Sequence, residues 1–227
     1  KLAYDQNILS VIRQLHYSTK NENSIDLVFF LNGLPVATAE LKDYNEGYLD
    51  AIKQYKENRE ANEKLLQFKK RAIVHFAVDP FEIYMTTKIN GADTVFLPFN
   101  KGKNLGKGNP ENPNGIETSY FWEKILQKDQ WLDIIGKYIA LKITPQKKLI
   151  PKKEELIFPR YHQLDAVNLL RNETIDQGAG NNFLIQHSTG SGKSNTIAWL
   201  AYKLFKLHDE NNDPIFYSII VLSDRLG

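Results

Sequence analysis

Apolar positions recur along this chain with two different periods, and the change of period divides it. Residues 4–15 carry Ile8, Leu9, Val11, Ile12 and Leu15 at helical spacing, which predicts a helix. Residues 24–42 are two apolar runs broken by Asn32-Gly33, the signature of a hairpin. From Gly47 to about Phe68 a polar helix is expected, with Tyr48, Ile52, Tyr55 and Arg59 on one face. Residues 71–79 and 81–89 predict two more strands around Asp79-Pro80. Residues 99–115 are rich in Gly, Asn, Pro and Lys and predict a loop. Helical stretches follow at 117–127 and 130–141.

The segment "TPQKKLIPKKEELIFP" (144–159) has three prolines and a charge run, the composition of a linker. Beyond it the pattern reads helix (161–175), strand (182–187), glycine-rich loop, helix (193–206) and strand (215–222). That alternation predicts a parallel α/β unit. The expected organisation is therefore α/β throughout: a first domain over 1–145, a linker over 146–157 and a second unit over 158–227.

Composition narrows the class only a little. With 227 residues the chain suffices for one large domain, or for one domain and part of another. Hydrophobic residues at 42% and charged residues at 25% are ordinary for a globular protein. No apolar stretch approaches the roughly 20 residues that span a bilayer, and no signal-peptide pattern opens the chain. The absence of cysteine excludes disulfides and thiolate metal sites, and agrees with a reducing cytoplasm. A net charge of +2 gives no bulk argument for nucleic-acid binding, which would need local patches. The first residue is Lys1 and the last apolar run stops at the terminus, so a fragment is expected.

The sharpest motif lies in the second unit, where "STGSGKS" (188–194) stands between a predicted strand and a predicted helix. Glycines at 190 and 192 let backbone N–H groups turn inward around a phosphate, and the next helix offers it a positive N-terminus. Thr189, Gly190, Ser191 and Gly192 would form the cradle, Lys193 would reach the β- and γ-phosphates, and Ser194 would ligate Mg²⁺. His187 stands where the G-x-x-x-x-G-K-[ST] pattern has its first glycine. The plainer alternative is a Gly/Ser loop that merely joins strand to helix. Upstream, Gln163 opens a helix and is a candidate reader of adenine, with Tyr161 or Phe158 to stack on it. Gln at a helix start is also simply a capping residue.

In the first domain, Glu40 and Lys42 end the strand "VATAELK" on one face, and Asp26 lies on the preceding strand. Divalent-metal cleavage of a phosphodiester needs two carboxylates a few ångströms apart and a nearby cation. Register decides whether they meet. A strict two-residue Asn-Gly turn pairs positions summing to 65 and puts Ala39 opposite Asp26, with Glu40 on the wrong face. Convergence requires a sum of 66, through a longer turn or a bulge near Leu34-Pro35. The plainer alternative is a charged strand end in solvent. Gln54, on the following helix, would either face the site or belong to a solvated polar stripe with Ala51, Asn58 and Ala61.

Taken together, "NGLPVATAELK", "TVFLPFNKGKNLGKGNPENPNG", "YFWEKIL", "FPRYHQLDAV" and "STGSGKS" resemble the restriction (R) subunit of type I restriction–modification enzymes, from about residue 7 to 227. The resemblance implies a PD-(D/E)xK nuclease domain, a mixed sheet flanked by helices, followed by the start of a RecA-like superfamily 2 helicase lobe. It implies Asp26, Glu40 and Lys42 as catalytic, the two acids as Mg²⁺ ligands, and Gln54 as the start of the family's Q-x-x-x-Y motif, whose tyrosine position here is Asn58. It likens Gln163 to the adenine-reading Q motif and "SDR" (223–225) to the next helicase motif. It implies ATP and Mg²⁺ as cofactors, double-stranded DNA as substrate, modification and specificity subunits as partners, and a cytoplasmic location. No Walker B carboxylate or arginine finger is found in this chain, so ATP turnover is not expected of it alone. Lys101, Lys103 and Lys107 would either meet DNA phosphates or form a solvated loop tip. Two other readings stay open: a translocase fragment with an inactive nuclease fold, and a non-catalytic docking module.

Overall fold

A computed structural model describes residues 2–145 and 153–222, and the chain divides into two compact units, Lys1–Phe158 and Pro159–Gly227. The first unit is built on one mixed sheet of six strands in sequence order. After a short helix α1 (Leu2–Asp5) come β1 (Leu9–His16), β2 (Ser24–Leu31) and β3 (Leu34–Leu41). Helix α2 (Tyr48–Glu57) then crosses to β4 (Val74–Val78), which runs parallel to β3. Strands β5 (Ile83–Thr86) and β6 (Leu97–Pro98) complete the sheet antiparallel. A π-helical turn (Phe121–Ile125), α3 (Lys128–Lys137) and a separate ribbon of β7 (Ala140–Thr144) and β8 (Lys153–Ile157) close the unit.

Both faces of β4 are covered, and all five of its residues are buried. On one face α2 packs across β3, β4 and β5. Tyr55 joins Ile25, Val28, Leu65, Leu66 and Ile89 in an apolar cluster there. On the other, Phe76 meets Phe99, Phe121 and Phe158 in edge-on or tilted contacts, and Trp131 of α3 lies against Phe158. A parallel β3–β4 pair needs a crossover connection, and α2 supplies it.

Three departures from the sequence expectation have physical causes. Residues 9–16 form an edge strand rather than part of a helix over 4–15. Their β-branched Val11 and Ile12 pair with Phe29 and Val28, and the ladder outweighs an apolar spacing that fitted a helix. The helix expected to reach Phe68 ends at Glu57, because Arg59 turns inward to an ion pair with Glu40 and the chain continues in turns. Of the segment 146–157 expected as a linker, 153–157 pair with β7, while 146–152 lie outside the described residues.

The second unit holds α4 (Tyr161–Gln177) and α5 (Lys193–Phe205) packed on each other. Neither 182–187 nor 215–222 is a strand, so the parallel unit predicted around them is not formed. A parallel strand draws its hydrogen bonds from neighbours and is covered on both faces. Here these segments have no paired neighbour among the described residues, and Leu184 (92%) and Leu222 (90%) stay exposed.

At the β2–β3 turn, Asn32 and Gly33 both have positive φ, 51° and 79°, the signature of a type I′ turn that matches strand twist. Gly33→Ala is expected to cost about 1 kcal/mol from the left-handed backbone, read as a lowered denaturation midpoint. An unchanged midpoint would show that the turn does not hold the hairpin.

Candidate active site and phosphate loop

The turn is two residues long, yet the register does not stay at 65. Leu31 pairs with Leu34 and Phe30 with Pro35, but Phe29 pairs with Ala37, Val28 with Thr38 and Leu27 with Ala39. A bulge between Phe29 and Phe30 thus moves the sum to 66. Pro35 has no N–H to give to the ladder and marks the irregularity, while the carbonyl of unpaired Val36 accepts from Ile73 at 2.9 Å. Continuing this register places Asp26 level with Glu40.

The side chains follow the backbone. The Leu41 N–H donates to Asp26 Oδ2 at 2.8 Å, and Gln14 Nε2 donates to Asp26 Oδ1 at 2.7 Å. Glu40 is fully buried. Its Oε1 accepts from Arg59 Nε at 2.8 Å and lies 2.7 Å from Nη2 as an ion pair, and its Oε2 is buried with no hydrogen-bond partner among the described residues. Burial raises the Glu40 carboxyl to about 7, against the lowering pull of Arg59, and nearby Asp26 adds to the rise. Lys42, two residues on, pairs with Glu46 at 2.9 Å, which holds its ammonium above the ordinary lysine range. Gln54 of α2 keeps a buried Oε1 with no partner among the described residues. Lys42, Gln54, Asn58 and Arg59 line one open polar cleft of about 370 Å³.

Behind Glu40 lies a buried polar relay. Thr38 Oγ1 is 2.7 Å from the Tyr55 hydroxyl and 2.8 Å from His75 Nδ1. Burial pushes His75 down to about 3, so the ring is neutral, and pushes the Tyr55 phenol well up. Arg59, Gln14 and this trio were not singled out as site groups from the sequence. Only Gln14 carries a backbone mark, a φ of 49° opposite Asp26, and that mark is invisible in sequence.

Two carboxylates side by side, one with a buried oxygen lacking a donor among the described residues, are the donor type a hard cation takes, so the residues present fit Mg²⁺. Among the described residues no cluster of three or more His, Cys, Asp or Glu occurs, and any such ion would rely on two acids plus water or backbone oxygens. Of the loop lysines, Lys103 pairs with Glu111 at 3.0 Å and Lys101 lies 4.7 Å from the Tyr120 ring centroid, while Lys107 is exposed.

In the second unit, Gly190 and Gly192 both have positive φ, 76° and 86°, a backbone region that favours glycine. Three successive loop carbonyls are received by the first turn of α4. Arg160 Nη2 lies 3.5 Å from Gly190 O, His162 Nε2 lies 3.0 Å from Ser191 O, and Gln163 Nε2 donates to Gly192 O at 2.9 Å. Gln163 Oε1 meanwhile accepts the Arg160 N–H at 2.9 Å, so its amide is occupied at both ends as cap and tether. Lys193 Nζ donates to His187 O and Ser188 O at 3.2 and 2.9 Å. Thr189 and Ser194 are exposed, and the Ser191 hydroxyl is buried without a partner among the described residues. Phe158, one stacking candidate, is taken up by the aromatic cluster of the first unit. The Ser-Asp-Arg stretch at 223–225 lies outside the described residues.

The mixed six-stranded sheet flanked by helices, with Asp26 on β2, Glu40 on β3 and Lys42 just past its end, is consistent with the PD-(D/E)xK nuclease-like class. Residues 3–94 match the family described as type I restriction enzyme R protein N terminus. It is 25% identical to a protein of Methanocaldococcus jannaschii provisionally named type I restriction enzyme MjaVIIIP endonuclease subunit, over 95% of this chain and 20% of that protein. It is likewise 25% identical to the type I restriction enzyme SsaAORF53P endonuclease subunit of Staphylococcus saprophyticus, over 97% of this chain and 21% of that one. The chain spans about a fifth of the length of these curated relatives. Among the described residues no helix is long and apolar enough to cross a membrane.

Two outcomes follow from this geometry. Because the Glu40 carboxyl sits near 7 rather than its ordinary 4.5, the folded state holds that proton more tightly. Its contribution to stability is present below about 4.5 and lost as pH rises through 7. A cation at Glu40 must displace the proton, so Mn²⁺ affinity is expected to fall steadily from pH 8 to pH 5.5 in calorimetric titrations. A flat profile would place Glu40 outside the binding set. In the second unit, a Cβ at Gly192 would lie 2.4 Å from Gln163 Nε2. Gly192→Ala is expected to break that tether and lower the unit's thermal midpoint in circular dichroism, with Gly190→Ala, which meets nothing within 4 Å, costing less.

Proposed function

We propose that this chain is the nuclease-bearing start of a type I restriction subunit that hydrolyses phosphodiesters of double-stranded DNA, and that its second unit binds ATP in a motor that translocates DNA. The observation that carries the reading is the bulged register, which brings Asp26 level with a buried Glu40 whose second oxygen is unpartnered. Asp26 and Glu40 would hold Mg²⁺, which when bound supplies Lewis-acid polarisation and an acidified water. The Lys42 ammonium, released from Glu46, offsets charge building on the phosphate. The Gln54 amide, on the same cleft, orients a phosphate oxygen. Thr189 through Ser194 would cradle the nucleotide phosphates, Ser194 would ligate the nucleotide's Mg²⁺, and Lys193 would exchange its loop carbonyls for phosphate oxygens. Gln163 would meet adenine only by giving up one of its two present bonds. The modification and specificity subunits are the proposed assembly partners, which places the complex in the cytoplasm beside the DNA it cuts.

The test is plasmid nicking by the full-length subunit, assembled with its modification and specificity subunits, in Mg²⁺ or Mn²⁺. Lys42→Ala is expected to lower nicking by about a hundredfold or more while ATP hydrolysis continues. Lys193→Ala is expected to abolish ATP hydrolysis. Unaltered nicking by Lys42→Ala with translocation intact would sink the nuclease assignment, and indifference to both substitutions would favour a docking module.

A further inference from the structure

We infer that Arg59 is the positioning residue of the acid pair: it fixes Glu40 through one carboxylate oxygen and thereby keeps the other turned to the cation position beside Asp26. This inference rests on the nuclease reading and deepens it.

An arginine paired with a carboxylate commonly uses its planar fork to place one N–H on each oxygen. Here Nε donates to Oε1 of Glu40 at 2.8 Å, Nη2 lies 2.7 Å from the same oxygen, and no N–H of the fork is placed on Oε2. The same Nη2 donates to the Ser24 carbonyl at 2.7 Å, two residues before Asp26 on β2. One guanidinium therefore spans both acid-bearing strands. Its side chain is 4% exposed and that of Glu40 is 0% exposed, so neither is held in place by solvent. Arg59 follows directly on the Asn58 cap of α2, outside the helix. The Tyr17 ring centroid lies 5.9 Å from the guanidinium carbon and limits its other rotamers. That oxygen has no donor among the described residues and has the Asp26 carboxyl beside it, an arrangement that is costly until a proton or a cation enters between the two acids. Groups that orient metal-binding carboxylates in this way commonly govern affinity by 10- to 100-fold, to order of magnitude.

The test is Mn²⁺ binding to the full-length subunit, followed by electron paramagnetic resonance of the free ion, with Glu40→Ala defining the site's share of the signal. Arg59→Met is expected to weaken the Glu40-dependent site about tenfold or more, and Arg59→Lys, which restores charge but not the fork, to recover part of that loss. Thermal midpoints are measured alongside. Should Arg59→Met fail to fold, Arg59→Lys decides: weaker Mn²⁺ binding at an unchanged midpoint supports the inference. Native-like affinity, or a loss no greater than the fall in midpoint accounts for, overturns it. Absence of any Glu40-dependent Mn²⁺ site in the native protein overturns the nuclease reading itself. A native site indifferent to Arg59 overturns only the positioning role.

Discussion

Side chains on a strand alternate, so one inserted residue decides which face of the sheet a charge occupies. The bulge between Phe29 and Phe30 is that residue's trace in this molecule. With the tip's register carried through, Glu40 would sit on the face away from Asp26, and its carboxylate would have neither Arg59 nor a second acid beside it. With the bulge, Thr38 reaches Tyr55 and His75, Glu40 reaches Arg59, and Leu41 offers its N–H to Asp26. The whole polar seam between the sheet and α2 depends on a shift of one position.

Burial of Glu40 then sets the electrostatics. A carboxylate removed from water must be compensated, and here the compensation is incomplete by one oxygen. Arg59 lowers the cost, Asp26 raises it, and the balance leaves Glu40 near 7. The neutral His75 and un-ionised Tyr55 add dipoles but no charge, so the seam contains a single buried ion pair and a second acid at its rim. Such a seam gains most when a proton or a cation enters it.

Much of the first unit was legible because its signals are local. Asn32-Gly33 between apolar runs announces a hairpin, Asp79-Pro80 a strand break, and the Gly/Asn/Pro segment a loop. The need for a 66 register could be stated from arithmetic alone, but the bulge that supplies it depends on packing. What stayed hidden is non-local. Leu9–His16 carries apolar residues that fit a helix by spacing, and only the neighbouring β2 ladder makes it a strand. Arg59 lies nineteen positions from Glu40 and reads, in sequence, as one more helical polar residue. Strands expected at 182–187 and 215–222 rest on neighbours that a periodicity count does not supply.

The glycine loop of the second unit obeys the same logic of backbone accounting. Its carbonyls need donors wherever the chain turns away from regular structure. The first turn of α4 supplies them in order, Arg160, His162 and Gln163 for Gly190, Ser191 and Gly192. Gln163 thus serves at once as a helix cap and as a tether, and neither role excludes the other, because its two amide ends face different partners. The lysine completes the count from within, its ammonium held by the carbonyls of His187 and Ser188. Residue 187 need not be glycine for this arrangement: its φ is not positive, and it contributes a carbonyl that any residue possesses.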